Sequence, residues 1–566
     1  MRYIYTLLIT HLLAALSLFG QTNEAVLYKA MQDEMARSKN ELILPGSPAP
    51  FFVAYTVGEN QYISVSSTLG VILSSKESEK ERLHSVNLYV GDNKFSSDYS
   101  YTGNGIQSPS FTTRDDNYDQ LRRNFWQTSD LSYKFAVEVY NSKKNNIKTA
   151  NISEEEKALP DLLPLKKVEV YATAEPALNL SKKSYEDLAK LLSKEFAKYP
   201  QISDSRVEAD GVETVYYYLS TEGTKVKEKE VYAGITFRGK VRNNKGQIVQ
   251  DVETIFAPAF EQLPSKEALI AKVNKFAEKL VSLCNAEPMA EYYFGPVLFE
   301  NDAVATILSD NLVSQSGIIS IRKPIQVLAS VSRVENVGAM KDIKPLEERI
   351  NKKVIDSRLS VSNKTDLKEF NGMFLLGSYE MDAQGVAPVK DVKLIENGIL
   401  KTLLSSRVPT RKISESTGSV RFGVRPRAVV TGVAPGVLVV NSLSGSSRDE
   451  LKADLIKAAI EEGLDYAYIV RNIASETTQY IYKVSVKDGS ETLVTGTEVT
   501  PVPLTKLKRV LGVNKEQEAT SYLYKGSIPT SIIHPKAILI EDIEINKKPL
   551  SVQKESPLIS RLEMSL

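Results

Sequence analysis

Residues 377–404 read GSYEMDAQGVAPVKDVKLIENGILKTLL, and this stretch sets the character of the second half of the chain. It holds two turn signals, Ala383-Gln-Gly and Glu396-Asn-Gly. An Asn-Gly pair supplies two residues that tolerate positive φ, which a tight hairpin requires. Apolar Val392, Leu394, Ile399 and Leu403 flank that turn, so the spacing predicts a hairpin. The same texture runs outward from it. After residue 290 the chain consists of short apolar, β-branched runs cut by Gly, Ser and Pro, and SIIHPKAILIEDIEI (531–545) reads as closing strands. One strong helix interrupts them, SRDELKADLIKAAIEEG at 447–463.

The first half mixes the two periodicities. AVLYKAMQDEMARSKNEL (25–42) spaces Leu27, Met31 and Met35 as a helix does. PFFVAYTV, QYISVSSTLGVIL and HSVNLYVGD read as separate strands. Residues 118–145 place Leu121, Phe125, Ala136, Val137 and Tyr140 on one helical side, with Trp126 as a packing residue. The charged, Pro-containing stretch 142–166 reads as a loop. Residues 184–199 form a helix opened by Ser184 and Asp187, with Leu188, Leu191, Leu192 and Phe196 as its stripe. Two strands meet at Glu222–Gly223, and a further helix covers 266–283. There is no internal repeat and no low-complexity tract.

These readings give an α+β chain of two domains: a mixed N-terminal domain over 21–290 and a β-rich C-terminal domain over 291–566. A length of 566 residues is too great for one ordinary core. With 71 basic and 70 acidic residues the net charge is +1, which excludes a polybasic nucleic-acid binder. MRYIYTLLITHLLAALSLFG (1–20) reads as a secretory signal, and the rival reading is a membrane anchor. No Cys stands at its end for lipid attachment, and no later run is long enough to span a bilayer. The expectation is an exported protein, periplasmic or secreted, with no membrane contact after cleavage. Cys284 is the single cysteine, so no internal disulfide forms, and the expected role is a buried structural thiol.

Residues 295–312, GPVLFENDAVATILSDNL, read as a strand running into an amphipathic helix, with Glu300 at the junction. The chain has no Gly-x-Ser-x-Gly and no phosphate-binding loop. Its three histidines are His11, His84 and His534. His534, in SIIHPK, has the chemistry to serve a Ser nucleophile, but a lone His beside Pro at a strand start reads as structural.

The ordered text GSYEMDAQGVAPVKDVKLIENGILKTLLSSR, together with STEGTKV and GPVLFENDAVATIL, resembles the TldD/PmbA family, which is classed with metallopeptidases. MARSKNEL, PFFVAYTV and DDNYDQLRRNFWQTSDLSYK resemble a long exported branch of it. The resemblance implies that active members carry His-Glu-x-x-x-His at the strand–helix junction and a cysteine ligand near the C-terminus. Zinc with three protein ligands keeps one position open for water. Here the two His slots hold Phe299 and Val304, the Glu slot holds Glu300, and no cysteine follows Cys284.

The resemblance therefore implies no catalytic residue, metal ligand or cofactor. Glu300 is a remnant, or a helix-start carboxylate favoured by the dipole. Val304, Ile307, Leu308 and Leu312 are expected in the core, and Asp302 and Asp310 in solvent. The expected partner is a zinc-bearing TldD-type homologue, with a peptide in a cleft shaped by Gly377, Ser378, Asp382 and Gly385. The alternatives are an exported peptide-binding or scaffold protein acting alone, and an active peptidase with unrecognised ligands.

Overall fold

A computed structural model describes residues 23–98, 110–148, 153–172, 180–243, 246–314, 317–322, 346–473 and 479–548. The signal-like residues 1–20 lie outside them. No helix among the described residues is long and apolar enough to cross a membrane.

The N-terminal domain is built on strands β1 (Pro50–Thr68), β2 (Val71–Glu77), β3 (Glu81–Val90), β4 (Ser110–Phe111), β5 (Val170–Ala172), β6 (Ile202–Ser220), β7 (Lys225–Arg242) and β8 (Ile248–Ala257). Their order is β4-β3-β1-β6-β7-β5, with β2 on β1 and β8 on β7. β1 runs unbroken where two strands were expected. The polar pair Glu59-Asn60 reads as a break, yet neighbouring strands satisfy it: Arg82 Nε donates to Glu59 at 2.9 Å and Thr214 Oγ1 to Asn60 at 2.7 Å. The β6–β7 hairpin turns at the expected Glu222–Gly223.

The pleat of β1 divides the molecule. Val53, Tyr55, Val57, Ile63 and Val65 face one way. Four helices cover that face. The pair α1 (Asn23–Glu41) and α2 (Tyr118–Asn146) packs with Val53, Tyr55 and Val57. The pair α3 (Lys182–Lys194) and α4 (Lys266–Ser282) packs with Ile63 and Val65. Phe52 and Ala54, with Tyr216 and Tyr218 of β6, face the other way and join the core of the C-terminal domain.

Several local expectations are corrected. Ser181 caps α3, its side chain accepting from Ser184 N–H, so the helix starts earlier than Ser184. Trp126 is 43 % exposed, because it sits on the solvent side of α2. Cys284 is half-buried rather than enclosed. The expected loop 142–166 holds the end of α2 and a short helical turn at Glu154–Lys157.

The C-terminal domain has an eight-stranded and a six-stranded sheet. The first is centred on β9 (Tyr293–Glu300), which pairs in parallel with β14 (Tyr466–Asn472) and antiparallel with β19 (Ala537–Lys547). It continues through β15 (Tyr480–Ser485) and β16 (Glu491–Thr495). The second contains β10 (Leu359–Lys364), β11 (Asp391–Glu396), β13 (Val437–Ser442), β17 (Gln517–Tyr524) and β18 (Ile528–Pro535). β12 (Val420–Phe422) lies in a two-stranded ribbon. The Glu396-Asn-Gly hairpin forms as expected, with φ of 49° at Asn397 and 79° at Gly398. Helices α5 (Asp302–Ser309) and α6 (Arg448–Glu461) flank β9.

The segment expected to shape a peptide cleft lies at the junction of the two domains. Gly377, Asp382 and Gly385 are buried and Ser378 is half-buried. A Cβ on Gly377 would meet Gly436 O at 2.1 Å, a close backbone approach, and one on Gly385, whose φ is 75°, would meet the Thr224 side chain at 2.2 Å, so both positions require glycine. Asp382 is 0 % exposed, and its Oδ1 accepts from Gln384 and Val386 N–H, each at 2.8 Å. Beside it Arg407 donates to both oxygens of Glu222 at 2.7 Å and to Leu163 O, tying the β6–β7 turn to the C-terminal domain. These contacts hold the segment between the domains, where Ala383, Gln384 and Arg407 line a small cavity with Phe52, Tyr89 and Tyr218.

Two predictions follow from this packing. Ser181→Ala lowers stability by about 1 kcal/mol, whereas Ser184→Ala stays within about 0.5 kcal/mol of wild type; denaturant unfolding separates them. Burial pushes the Asp382 carboxyl up from 3.8 to about 7, outweighing its backbone hydrogen bonds. Its stabilising contribution is therefore whole below pH 3.8 and lost as pH rises through about 7. Asp382→Asn should gain melting temperature relative to wild type on going from about pH 4 to about pH 8, and a constant difference would contradict this.

Candidate functional site

The window that resembles the family's metal motif does not form one helix. Phe299 and Glu300 end β9, Asn301 turns the chain with φ of 53°, and α5 begins at Asp302. Strand alternation then separates the two neighbours. Phe299 enters the large core with Val297, while Glu300 follows Leu298 onto the opposite face, toward α6. Val304, Ile307, Leu308 and Leu312 are buried in that core, as expected, and Asp302 and Asp310 are exposed. Phe299 and Val304 are both fully enclosed, and neither has a lone pair to give. These positions do not fit a zinc ion. Among the described residues no group of three or more His, Cys, Asp or Glu side chains is placed to hold a metal.

Glu300, expected as a remnant or a helix-start carboxylate, is the last residue of β9, two positions before α5. Its side chain is buried on β9, and both oxygens are committed. Oε1 accepts from Arg448 Nε at 2.8 Å, and Oε2 from Arg471 Nε at 2.9 Å. Each arginine reaches on to Glu491, at 2.9 Å and 2.7 Å, and Lys452 joins the same carboxylate at 2.8 Å. Arg471 also lies 4.1 Å over the Tyr482 ring. Burial acts to raise the Glu491 carboxyl, but the hydrogen bonds and charges of Lys452, Arg448 and Arg471 prevail and hold it down to about 2. Two carboxylates thus bind three cations into one network. Its members lie on β9, α6, β14 and β16, with hydrogen-bonded partners up to 171 residues apart, so no local pattern announces it. The one sequence cue is Arg448 in the first turn of a helix, where a cation is disfavoured by the dipole unless it is paired.

The remaining candidates are structural. His534 is fully buried on β18, with Nδ1 2.9 Å from Pro535 O and Nε2 3.5 Å from Thr520 Oγ1. Its further neighbour is Glu518, at 3.9 Å, so the contacts include no serine nucleophile. Burial lowers the His534 imidazole to about 4 and raises the Glu518 carboxyl to about 7. His84 is likewise buried on β3, with Nε2 2.7 Å from Thr128 Oγ1. Burial pushes the Cys284 thiol up, away from the reactive thiolate. Among these residues the fold brings no nucleophile together with a base.

Comparison with known proteins now bears on this geometry. The profile of the PmbA/TldA metallopeptidase C-terminal domain matches residues 295–547, which run from β9 through β19. No curated protein matches the sequence. Among solved structures, a candidate modulator of a DNA gyrase from Thermotoga maritima is similar at 14% identity, covering 92% of this chain and 100% of that one, with a TM-score of 0.59. TldE from Thermococcus kodakarensis is similar at 14% identity, over 91% of this chain and 99% of that one, with a TM-score of 0.57. A candidate modulator of DNA gyrase from Bacteroides thetaiotaomicron is also similar at 14% identity, over 93% and 99%, with a TM-score of 0.54. At such identity these structures share a fold with the chain and nothing more is taken from them. The matched profile and a fold shared from end to end lead to one conclusion: residues 295–547 form a C-terminal domain of the PmbA/TldA metallopeptidase type, carried on a chain whose whole fold these structures share.

Proposed function

We propose that this chain is a zinc-less, non-catalytic subunit that supports peptide proteolysis together with a zinc-bearing homologue. One observation carries the reading. The two positions that resemble histidine ligands are apolar side chains in the main core, and the carboxylate between them is clamped by two arginines. A general base must accept a proton from water on a free lone pair. Glu300 instead uses both oxygens to hold Arg448 and Arg471, so its retention is explained by folding alone. A chain that keeps its fold without a catalytic centre is kept for a surface, and a homologous catalytic chain is the partner that such a surface fits. The signal-like first twenty residues support a pairing outside the cytoplasm. The balanced charge gives no support to a nucleic-acid target.

Expressing the chain with and without a zinc-bearing homologue from its own organism tests the proposal. The expected outcome is a joint complex that cleaves peptides, far less than one zinc on this chain by elemental analysis, and no cleavage by it alone. A homologue that cuts equally well alone and never associates would leave the independent exported scaffold as the better reading. Tightly bound zinc, or cleavage by this chain alone, would instead show a peptidase with ligands outside this site.

Glu300→Gln separates structure from chemistry. Removing a buried charge shared by two half-exposed guanidiniums should cost about 1–3 kcal/mol of stability. Peptidase activity per folded complex should stay at the wild-type level. A loss of about a hundredfold in rate with the fold intact would assign Glu300 to proton transfer.

A further inference from the structure

A pocket of about 440 Å³ lies where the turn between β2 and β3 meets β4 and the C-terminal loop 423–430. That volume is in the range of small-molecule sites. It shares no residue with the Phe299–Val304 window or the Glu300 network. We propose that it binds a small zwitterion: an amino acid, or a short peptide with free termini.

The floor is fixed and electrically satisfied. Arg82 is buried, with Nε 2.9 Å from Glu59 Oε1, Nη2 2.9 Å from Asp116 Oδ1 and Nη1 3.2 Å from Thr113 O. The rim is different. Arg114 pairs with Glu79, and both are exposed. Arg427 reaches across from the other domain, its Nε 3.2 Å from each oxygen of Glu81. Exposed pairs of this kind contribute little and exchange readily for a ligand's groups. Arg427 also holds its backbone at φ of 58°, a left-handed conformation that costs energy in a non-glycine residue. Pro426 precedes it, and Arg427 lines the pocket.

The lining specifies the ligand's chemistry. Arg114 and Arg427 present two planar forks to a carboxylate. Glu77 and Glu79 present acceptors to an ammonium. Phe111 borders the pocket with 68 % of its surface exposed, and Tyr62 lies on the wall formed by β1, so an apolar side chain has a face to cover. With Arg82 matched by Glu59 and Asp116 outside the lining, Arg114 and Arg427 stand among Glu77, Glu79 and Glu81, so a ligand that carries both signs finds partners for each. A phosphate or a polyamine would leave one sign unpaired.

Isothermal titration of the purified full chain tests this with three probes: L-phenylalanine, the dipeptide Phe-Ala, and N-acetyl-phenylalaninamide, which has neither terminal charge. At least one zwitterion should bind with a Kd of about 1 mM or tighter, and the capped probe should not. Binding of the amino acid alone, the dipeptide alone or both identifies which source of the shared chemistry the pocket takes. Arg427→Ala and Phe111→Ala should each weaken binding by about tenfold or more at an unchanged melting temperature. Absence of binding by both zwitterions, equal binding of the capped probe, or indifference to both substitutions would overturn the proposal.

Discussion

The structure depends on the pleat of β1 and β6. Because successive side chains alternate, one sheet presents two complete apolar faces, and each has its own cover. Four helices take the face of Tyr55 and Val65, and the C-terminal domain takes the face of Phe52, Ala54 and Tyr216. The second contact is specific as well as apolar. Tyr216 stacks on Phe422 at 4.3 Å between ring centres, and its hydroxyl donates to Gly423 O at 2.6 Å. Arg407 adds a fork into the turn of the hairpin. The two domains are therefore wedged together along the same strands that define the first of them.

Within the C-terminal domain the same alternation decides what the strand–helix junction can do. One residue after Phe299 enters the core, Glu300 emerges on the other side and meets two guanidiniums. Arg448 and Arg471 supply positive charge to this carboxylate from side chains, and Glu491 and Lys452 complete the network. The network ties β9, β14, β16 and α6 together near the centre of their sheet.

Much of this was legible in the residues. The Glu396-Asn-Gly hairpin, the helices over 118–145, 266–283 and 447–463, and the turn at Glu222–Gly223 rest on local chemistry that needs no distant partner. The unbroken β1 was hidden, because its polar centre is satisfied only by Arg82 and Thr214, both remote in sequence. The same holds for the candidate site. The unsuitability of Phe299 and Val304 as ligands was plain from their side chains, whereas the commitment of Glu300 needed partners 148 and 171 residues away. Around Asp382 the tight packing was also hidden, because Gly377 meets Gly436 and Gly385 meets Thr224, both remote in sequence.

The shared core has a consequence for the protein's modularity. Phe52, Ala54, Tyr216 and Tyr218 belong by sequence to the first domain but by packing to the second. A fragment ending before residue 290 would carry that whole face bare, and bare apolar sheet surface drives self-association. The two halves are thus poor candidates for recombination with halves of other relatives. A substitution on one side of the seam obliges an answer on the other, and this chain's ancestry should record them changing in step.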